Sequence, residues 1–394
     1  MSHSRAVPIA VRAALHVRDH GSATLTEIAQ SLEISRTSAE NAMTSLGEIG
    51  LVSDAAVANG RGAGRPARRF SFERRSGFVI GVDIGVASVR VVVADLTGQV
   101  VRYESFDGVA DSRGGAEKLV VVIDDVRSTL TASTIPTSRV RAIGVSLPGI
   151  VDSSGRVTTS VVIPEWSGVD IGAQLASVFG CRVSVDNGVR LAAVAEHHLG
   201  VAQLVDDLLY LSVGNRIAMG LILDGRPRRG IHNAAGDIGR LAFPGLVTET
   251  GQLTWRTGED AEKVFSLARA GDSSAVSELG SFIDQLARGI ATLVLTVDPA
   301  MIVIGGGLSD AHEQLLDPLR QALDTHIGLP FSVPLVKARL GAEAASHGAL
   351  VFAFRRHAAD IYGLESMPVP PITPLRVDAT LLPVRTQDDS TFSG

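Results

Sequence analysis

An α/β class, with a small helical head ahead of a larger two-lobed body, is predicted from three observations. Apolar residues recur at helical spacing in the first fifty positions, where Val7, Val11, Ala14 and Leu15 share a face. Beyond Phe78, strand-like and helix-like runs alternate, as they do when helices cover mixed sheets. At the junction, residues 78–101 read FVIGVDIGVASVRVVVADLTGQVV, two β-rich runs about an Asp83-Ile84-Gly85 turn, followed by an Asp95-Leu96-Thr97-Gly98 reversal. An apolar strand that ends in Asp-x-Gly and folds back as a hairpin suits the cradling of a phosphate. Glycine lets the backbone approach a phosphate closely, and nearby N–H groups can point at it.

The bulk properties narrow the class. A chain of 394 residues holds two or three domains, each with its own core. With 45% hydrophobic and 20% charged residues, the composition is that of an ordinary globular protein. Gly, Asp or Arg interrupts every apolar run well short of a membrane-spanning length, so no membrane association is expected. The N-terminal apolar stretch is broken by arginine and histidine and lacks a small-residue cleavage site, which argues against a secretory signal. The one cysteine, Cys181, excludes an intrachain disulfide and a multi-thiolate metal site, and a cytoplasmic location is expected. Charge is uneven: residues 1–78 hold ten arginines and seven acids, a net +3, which leaves −9 for the rest of a chain whose total is −6. A basic head on an acidic body fits nucleic-acid contact confined to the N-terminus.

In the head, Gly21 closes the first helix. A second, short helix is expected from about Thr24, because Thr24 and Glu27 have capping-box spacing. Ser35 is placed to cap a third helix, whose Ala39, Ala42, Met43 and Leu46 make one apolar face. The opposite face displays Arg36, Thr37, Glu40, Asn41 and Thr44. Two short helices joined this tightly match a helix-turn-helix with a recognition helix; three packing helices of no special role is the competing reading. The following segment decides between them. Residues 59–69 form a glycine- and arginine-rich loop between two strands, and Gly64-Arg65-Pro66 resembles the minor-groove arginine element of a wing. Ser35, Arg36, Thr37, Ser38 and Asn41 are therefore the candidates for contact with DNA through the helix, and Arg61 and Arg65 for contact through the wing.

In the body, strands are expected at 89–95, 141–146, 182–185, 208–213 and 217–223, and helices at 114–132, 190–198, 277–296 and 311–325. A strand ending in Gly305-Gly306-Gly307 suits close approach of a nucleotide, or is simply a tight turn. The Pro-rich 365–394 segment reads as an extended arm along the body with a loose end. The expected domains are a winged head over 1–75 and a first lobe over 76–190, completed by a C-terminal helix near 345–362. A second lobe covers 191–344 and precedes the tail.

Taken in this order, the landmarks resemble the ROK family of repressors, uncharacterised reading frames and sugar kinases across almost the whole chain. The Gly-Arg-Pro wing is similar to that of the family's regulators. The stretch from Ile143 through Pro148-Gly149-Ile150-Val151-Asp152 resembles its Val-Pro-Gly-x-Val-Asp segment, and residues 229–239 resemble its sugar-contacting Gly-Glu-x-Gly-His region. The resemblance implies an N-terminal winged helix-turn-helix followed by a two-lobed actin-like ATPase fold of the sugar-kinase type.

Position by position, the chemistry that the resemblance implies is depleted. A sugar kinase needs a carboxylate within reach of the sugar hydroxyl as general base. The family supplies it as the Asp of Glu-Asn-Asp-Ala-Asn, whereas here Asp186-Asn187-Gly188-Val189-Arg190 puts Gly188 there. Ala87 replaces the threonine of the first phosphate turn, and the second, Gly214-Asn215-Arg216-Ile217-Ala218-Met219-Gly220, has larger residues for two glycines. The family's zinc site of one His and three Cys meets Arg240 and a cysteine-free 246–258, so no metal is expected. His197-His198 reads as a helix end. Of the sugar contacts, Asn187 is retained, while Val162 replaces an Asn, Asp237 a Glu and Arg240 a His. Lost polar partners weaken a sugar's hydrogen bonds. Arg190, Arg216 and Arg240 would instead suit a phosphorylated or acidic ligand, the bland reading of each being a solvated or ion-paired side chain. Asn187, Arg190, Asp237 and Arg240 are the candidate ligand-binding residues; no catalytic residue and no cofactor is assigned.

The expected function is transcriptional regulation, as a repressor without enzymatic activity. A homodimer or dimer of dimers would read a roughly palindromic double-stranded operator, and a sugar or sugar-phosphate-like effector would occupy the interlobe cleft. Two alternatives stay open: an ATP-dependent sugar kinase with a regulatory DNA-binding head, and a regulator that no longer binds a small molecule.

Overall fold

Three helices and a three-stranded sheet make the N-terminal unit of the protein. The computed structural model describes residues 7–55, 68–110, 114–310, 312–373 and 375. Helix α1 (Ile9–His20) buries Val11, Ala13, Ala14 and Val17 and ends at Gly21, whose φ of 75° favours glycine. Strand β1 (Ser22–Thr24) leads into α2 (Leu25–Leu32) through a complete capping box: Thr24 Oγ accepts from the Glu27 N–H, and the Glu27 carboxylate accepts from the Thr24 N–H. Helix α3 (Arg36–Glu48) starts where the Ser35 hydroxyl accepts from the Ser38 N–H at 3.0 Å, and it buries Ala39, Ala42, Met43 and Leu46. Strands β2 (Val52–Ala55) and β3 (Arg69–Phe72) complete an antiparallel sheet of order β1-β3-β2. The short β1 escapes a reading of local pattern because its partner lies far downstream, pairing Ser22 with Ser71.

The first body sheet contains β4 (Phe78–Ile84), β5 (Ser88–Asp95), β6 (Val100–Asp107), β7 (Val140–Leu147) and β10 (Arg182–Asn187), in the order β10-β7-β4-β5-β6; a small hairpin, β8 (Ile150–Val151) with β9 (Val157–Thr159), lies between β7 and β10. The β4–β5–β6 meander is antiparallel, whereas β4, β7 and β10 run parallel. Strand β4 is buried on both faces. Phe78, Ile80, Val82 and Ile84 join the core beneath α4 (Gly115–Ala132) and α5 (Ile171–Phe179), while Val79 joins the core on the other face. Helix α6 (Gly188–His198) follows β10 directly and leads to the second lobe.

There the sheet order is β13-β12-β11-β14-β15, built from β11 (Leu208–Val213), β12 (Ile217–Leu223), β13 (Arg226–Pro227), β14 (Met301–Gly305) and β15 (Leu335–Lys337). One face packs on α7 (Gly239–Ala242), α8 (Ala261–Arg269), the long α9 (Ser273–Val297) and α10 (His312–Ile327). The chain then returns as α11 (Ala344–Arg356) and α12 (Ala358–Tyr362), and α11 packs on α6, β4 and β7. Three glycines allow this approach. A Cβ on Gly81 would overlap the Ser346 carbonyl, one on Gly144 the Ala349 carbonyl, and one on Gly348 the Leu191 carbonyl. No helix among the described residues is long and apolar enough to cross a membrane.

The head is fused to the first lobe. Its core residues, from Val11 to Phe72, form one apolar cluster with Leu96, Ile361, Tyr362, Met367 and Ile372. The Tyr362 hydroxyl donates to the Leu96 carbonyl at 2.8 Å, and the Leu96 N–H donates to the Arg74 carbonyl at 2.9 Å. The C-terminal arm adds to the seam: the Thr373 N–H donates to the Gly98 carbonyl, and the Val100 N–H donates to the Thr373 carbonyl, both at 3.0 Å. Residues 374 and 376–394 lie outside the described residues.

One surface helix carries a pH-sensitive group. Asp125 in α4 has a buried Oδ2 without a hydrogen-bond partner among the described residues, and burial, followed by Asp124 and Asp107, pushes its pKa from 3.8 up to about 6. The folded chain thus keeps a proton that the unfolded chain releases, so stability falls as pH rises from about 4 to about 6. Asp125→Asn is expected to remove that dependence and to stabilise above pH 6 by ~1 kcal/mol, a value discounted for the partial exposure of the residue. Urea unfolding at pH 5 and pH 8 measures it; an equal effect at both pH values would contradict the assignment.

Candidate functional site

The junction between β10 and α6 brings the chemically informative residues together. Asn187 caps α6: its Oδ1 accepts from the N–H groups of Val189 at 3.0 Å and Arg190 at 3.2 Å, and its Nδ2 donates to the Gly149 carbonyl at 2.9 Å. Gly188 follows with its backbone against the opening hairpin. A Cβ there would lie 2.9 Å from Ser146 Oγ and 4.0 Å from Asp83 Oδ1. The carboxylate of Asp83 is already engaged. It accepts from Ser146 Oγ at 2.6 Å and from Arg90, its cross-strand neighbour on β5, at 3.4 Å. Burial pushes its pKa up, against the pull of Ser146 and Arg90.

Asp186 is the hub. Its Oδ1 accepts from Arg190 Nη1, and its Oδ2 accepts from Arg229 Nη2 at 2.6 Å. Asp186 is 1% exposed and Arg190 3%. Arg190 Nη2 donates to the Asn233 carbonyl at 3.0 Å, and the Arg229 guanidinium lies 5.3 Å from the centre of the Phe352 ring on α11. Burial pulls the Arg190 pKa down, Asp186 raises it, and Arg229 lowers it further. The cluster ties β10 of the first lobe to the segment after β13 of the second. Asp186 on β10 and Arg190 in the first turn of α6 are four residues apart, and their closeness is visible along the sequence. That of Arg229, 43 residues from Asp186, is not.

The other candidates are dispersed. Asp237 and Arg240 are exposed near the start of α7, where Arg240 donates to the Glu249 carbonyl at 3.3 Å. Arg216 is bonded to the Thr250 carbonyl, and the Leu253 N–H donates to the Asn215 carbonyl at 2.9 Å, so the 248–253 segment lies over the second phosphate turn. Two glycines of the triplet serve packing, since a Cβ on Gly305 would overlap the Tyr210 hydroxyl and Gly306 (φ 83°) sits against the Val213 backbone, while a Cβ on Gly307 would meet nothing within 4 Å. The residues around 246–258 do not fit a zinc ion. Trp255 packs there on Phe282 at 4.8 Å and edge-on to Phe265 at 6.1 Å, and buried Glu278 accepts from the N–H groups of Arg256 and Thr257. No three His, Cys, Asp or Glu residues converge as a metal site among the described residues. His198 Nε2 meets the Pro370 carbonyl at 3.1 Å and so packs the C-terminal arm.

In the head, Arg36, Thr37 and Asn41 are exposed on α3, Ser35 is exposed as its N-cap, and Ser38 is half-buried. Ser35 Oγ and Ser38 Oγ share a hydrogen bond of 2.9 Å. Arg61 and Arg65 lie outside the described residues.

The sequence model of the ROK family matches residues 79–252 and 241–356. A xylose repressor of Caldicellulosiruptor bescii is 22% identical over 335 residues, covering 76% of this chain and 83% of that protein. Among solved structures, a ROK family transcriptional regulator described as a homolog of the E. coli MLC protein superposes with a TM-score of 0.69 at 21% identity, covering 90% of this chain and 96% of the other. The ROK hexokinase of Thermus thermophilus gives 0.61 at 28% identity, covering 71% and 98%.

Proposed function

The chain belongs to the ROK family, and from that premise we propose that it is a DNA-binding transcriptional repressor whose kinase chemistry is lost. One observation carries the loss: at the β10–α6 junction the position of the general base is Gly188, and the neighbouring carboxylate, Asp186, is held by two arginines. A glycine accepts no proton, and both oxygens of the Asp186 carboxylate already accept hydrogen bonds from the two arginines. Asp83 and the second turn are likewise occupied by the chain's own side chains.

The N-terminal unit has the element order of a winged helix-turn-helix, with α3 as the recognition helix and β2 and β3 bounding the wing. Residues 1–75 are the DNA reader, 76–190 with the C-terminal helices the first lobe, and 191–344 the second. Arg36, Thr37 and Asn41 face the groove, Ser35 and Ser38 hold the start of the helix, and Arg61 and Arg65 enter the minor groove. A homodimer places two heads on a palindromic operator. The likeness to a repressor named for xylose supports a sugar or sugar-phosphate effector between the lobes, beside Asn187 and Arg190, with Asp237 and Arg240 on the second-lobe side.

Genome-fragment selection by the full chain tests the reading. A recurring palindromic site is expected, and Arg36→Ala or Arg65→Ala is expected to weaken binding to it roughly tenfold or more, the scale of a groove contact. The likeness to a hexokinase favours a second reading, a kinase with a DNA-reading head. Sugar-dependent ADP release in the presence of ATP and glucose decides between them; the repressor reading expects none.

A further inference from the structure

The cluster at the β10–α6 junction has one carboxylate for two guanidiniums, so it carries a net positive charge. Among the described residues, Asp186 is the one acid ion-paired with Arg190 and Arg229. Of the two arginines, Arg190 is sealed, with 4% of its side chain exposed, whereas Arg229 retains 22%. Arg229 reaches Asp186 from the second lobe, as the bond from Arg190 to the Asn233 carbonyl also spans the lobes, and its guanidinium lies 5.3 Å from the centre of the Phe352 ring. Such a guanidinium keeps donors free beyond the one given to Asp186, in a fork that matches a carboxylate or phosphate.

We propose that Arg229 is the anion seat of the interlobe cleft, selecting a phosphorylated or carboxylated sugar that competes with Asp186 for it and thereby releases one of the ties between the two lobes. The inference rests on the reading that an effector occupies the cleft, and it commits that reading to an acidic ligand. Asp186 then acts as an internal competitor. While it holds Arg229, this tie is closed. A ligand anion takes over the Arg229 bonds, and Asp186 keeps Arg190, so no carboxylate is left unpaired. The ligand shifts the lobes only through its preference for the untied arrangement.

Titration calorimetry on the full chain tests this, with gluconate, glucose 6-phosphate and inorganic phosphate as anionic probes and glucose and xylose as neutral ones. At least one anionic probe is expected to bind. Arg229→Gln is expected to weaken that binding by about tenfold or more, and Arg229→Lys by less, because a charge-assisted hydrogen bond is lost in one and partly kept in the other. Arg229→Gln breaks the tie without burying a new charge, so folding is checked on the same samples by thermal unfolding. Asp186→Asn is expected to tighten the same probe by removing its competitor. Gluconate against glucose 6-phosphate separates a carboxylate from a phosphate ligand, and inorganic phosphate tells whether the anion suffices without a sugar. Binding by neutral sugars alone, indifference to Arg229→Gln, or no binding by any anion overturns the seat. Operator binding measured on the same preparations keeps the two failures apart. An intact operator complex with no anion effect overturns this inference alone, whereas loss of operator binding in the wild type overturns the repressor reading.

Discussion

Asp186→Ala is expected to cost about 3–5 kcal/mol of stability, the range for removing one partner of a buried ion pair. The reason is what stays behind. Arg190 is 3% exposed, and without Asp186 its remaining acceptor is the Asn233 carbonyl. Burial already pulls its pKa down, so the protein holds the charge against a desolvation penalty that Asp186 offsets. Arg229 loses less, because it keeps water and the face of Phe352. Arg229→Ala should therefore cost clearly less than Asp186→Ala, although both delete one bond of the same cluster. Urea unfolding of the two variants checks the order. Equal losses, or a loss below about 1 kcal/mol for Asp186→Ala, would show that the cluster is solvated and not a buried tie.

Gly144→Ala is the second large effect, with an expected loss of about 3 kcal/mol or more. The added methyl would overlap the Ala349 carbonyl, which is helix backbone and cannot rotate away as a side chain does, so β7 and α11 must part. Gly348→Ala, which meets the Leu191 carbonyl at the α6–α11 crossing, belongs with it. Gly280 is the control. It lies in α9, where an added methyl would meet nothing within 4 Å, and the same substitution there should stabilise by about 0.5–1 kcal/mol through helix propensity. Equilibrium unfolding of the pair measures a difference in sign, and stabilisation by both changes would refute the close approach of α11 to the sheet.

Sequence patterns with short range were legible. The runs at 208–213 and 217–223 match β11 and β12 to the residue, and the Thr24–Glu27 spacing gives the capping box that is present. Other elements depend on distant partners. Strand β1 is three residues long and exists through its pairing with β3, and β15 is a short edge that pairs in parallel with β14 across the whole of α10. Helices α5 and α8, nine residues each, are missing from the expected elements although each opens on a capping aspartate, Asp170 and Asp260. The site divides the same way. Gly188 and Asn187 follow from local spacing, but the capture of Asp186 by Arg229 requires two segments that only the tertiary fold brings together. A sequence lays residue types along one line; the charge balance of a buried cluster is set in three dimensions.

The seam between head and first lobe sets a limit on exchange of parts. Because Leu96, Tyr362, Met367 and Ile372 are packed into the same apolar cluster as the helices of the head, the boundary near residue 75 is a covalent joint but not a boundary of the core. An N-terminal unit transplanted from a relative would meet a socket shaped by α12 and the C-terminal arm as well as by the β5–β6 turn. Working chimaeras should therefore be those that carry their own residues 358–373 along with the head, so that the two ends of the chain are inherited together.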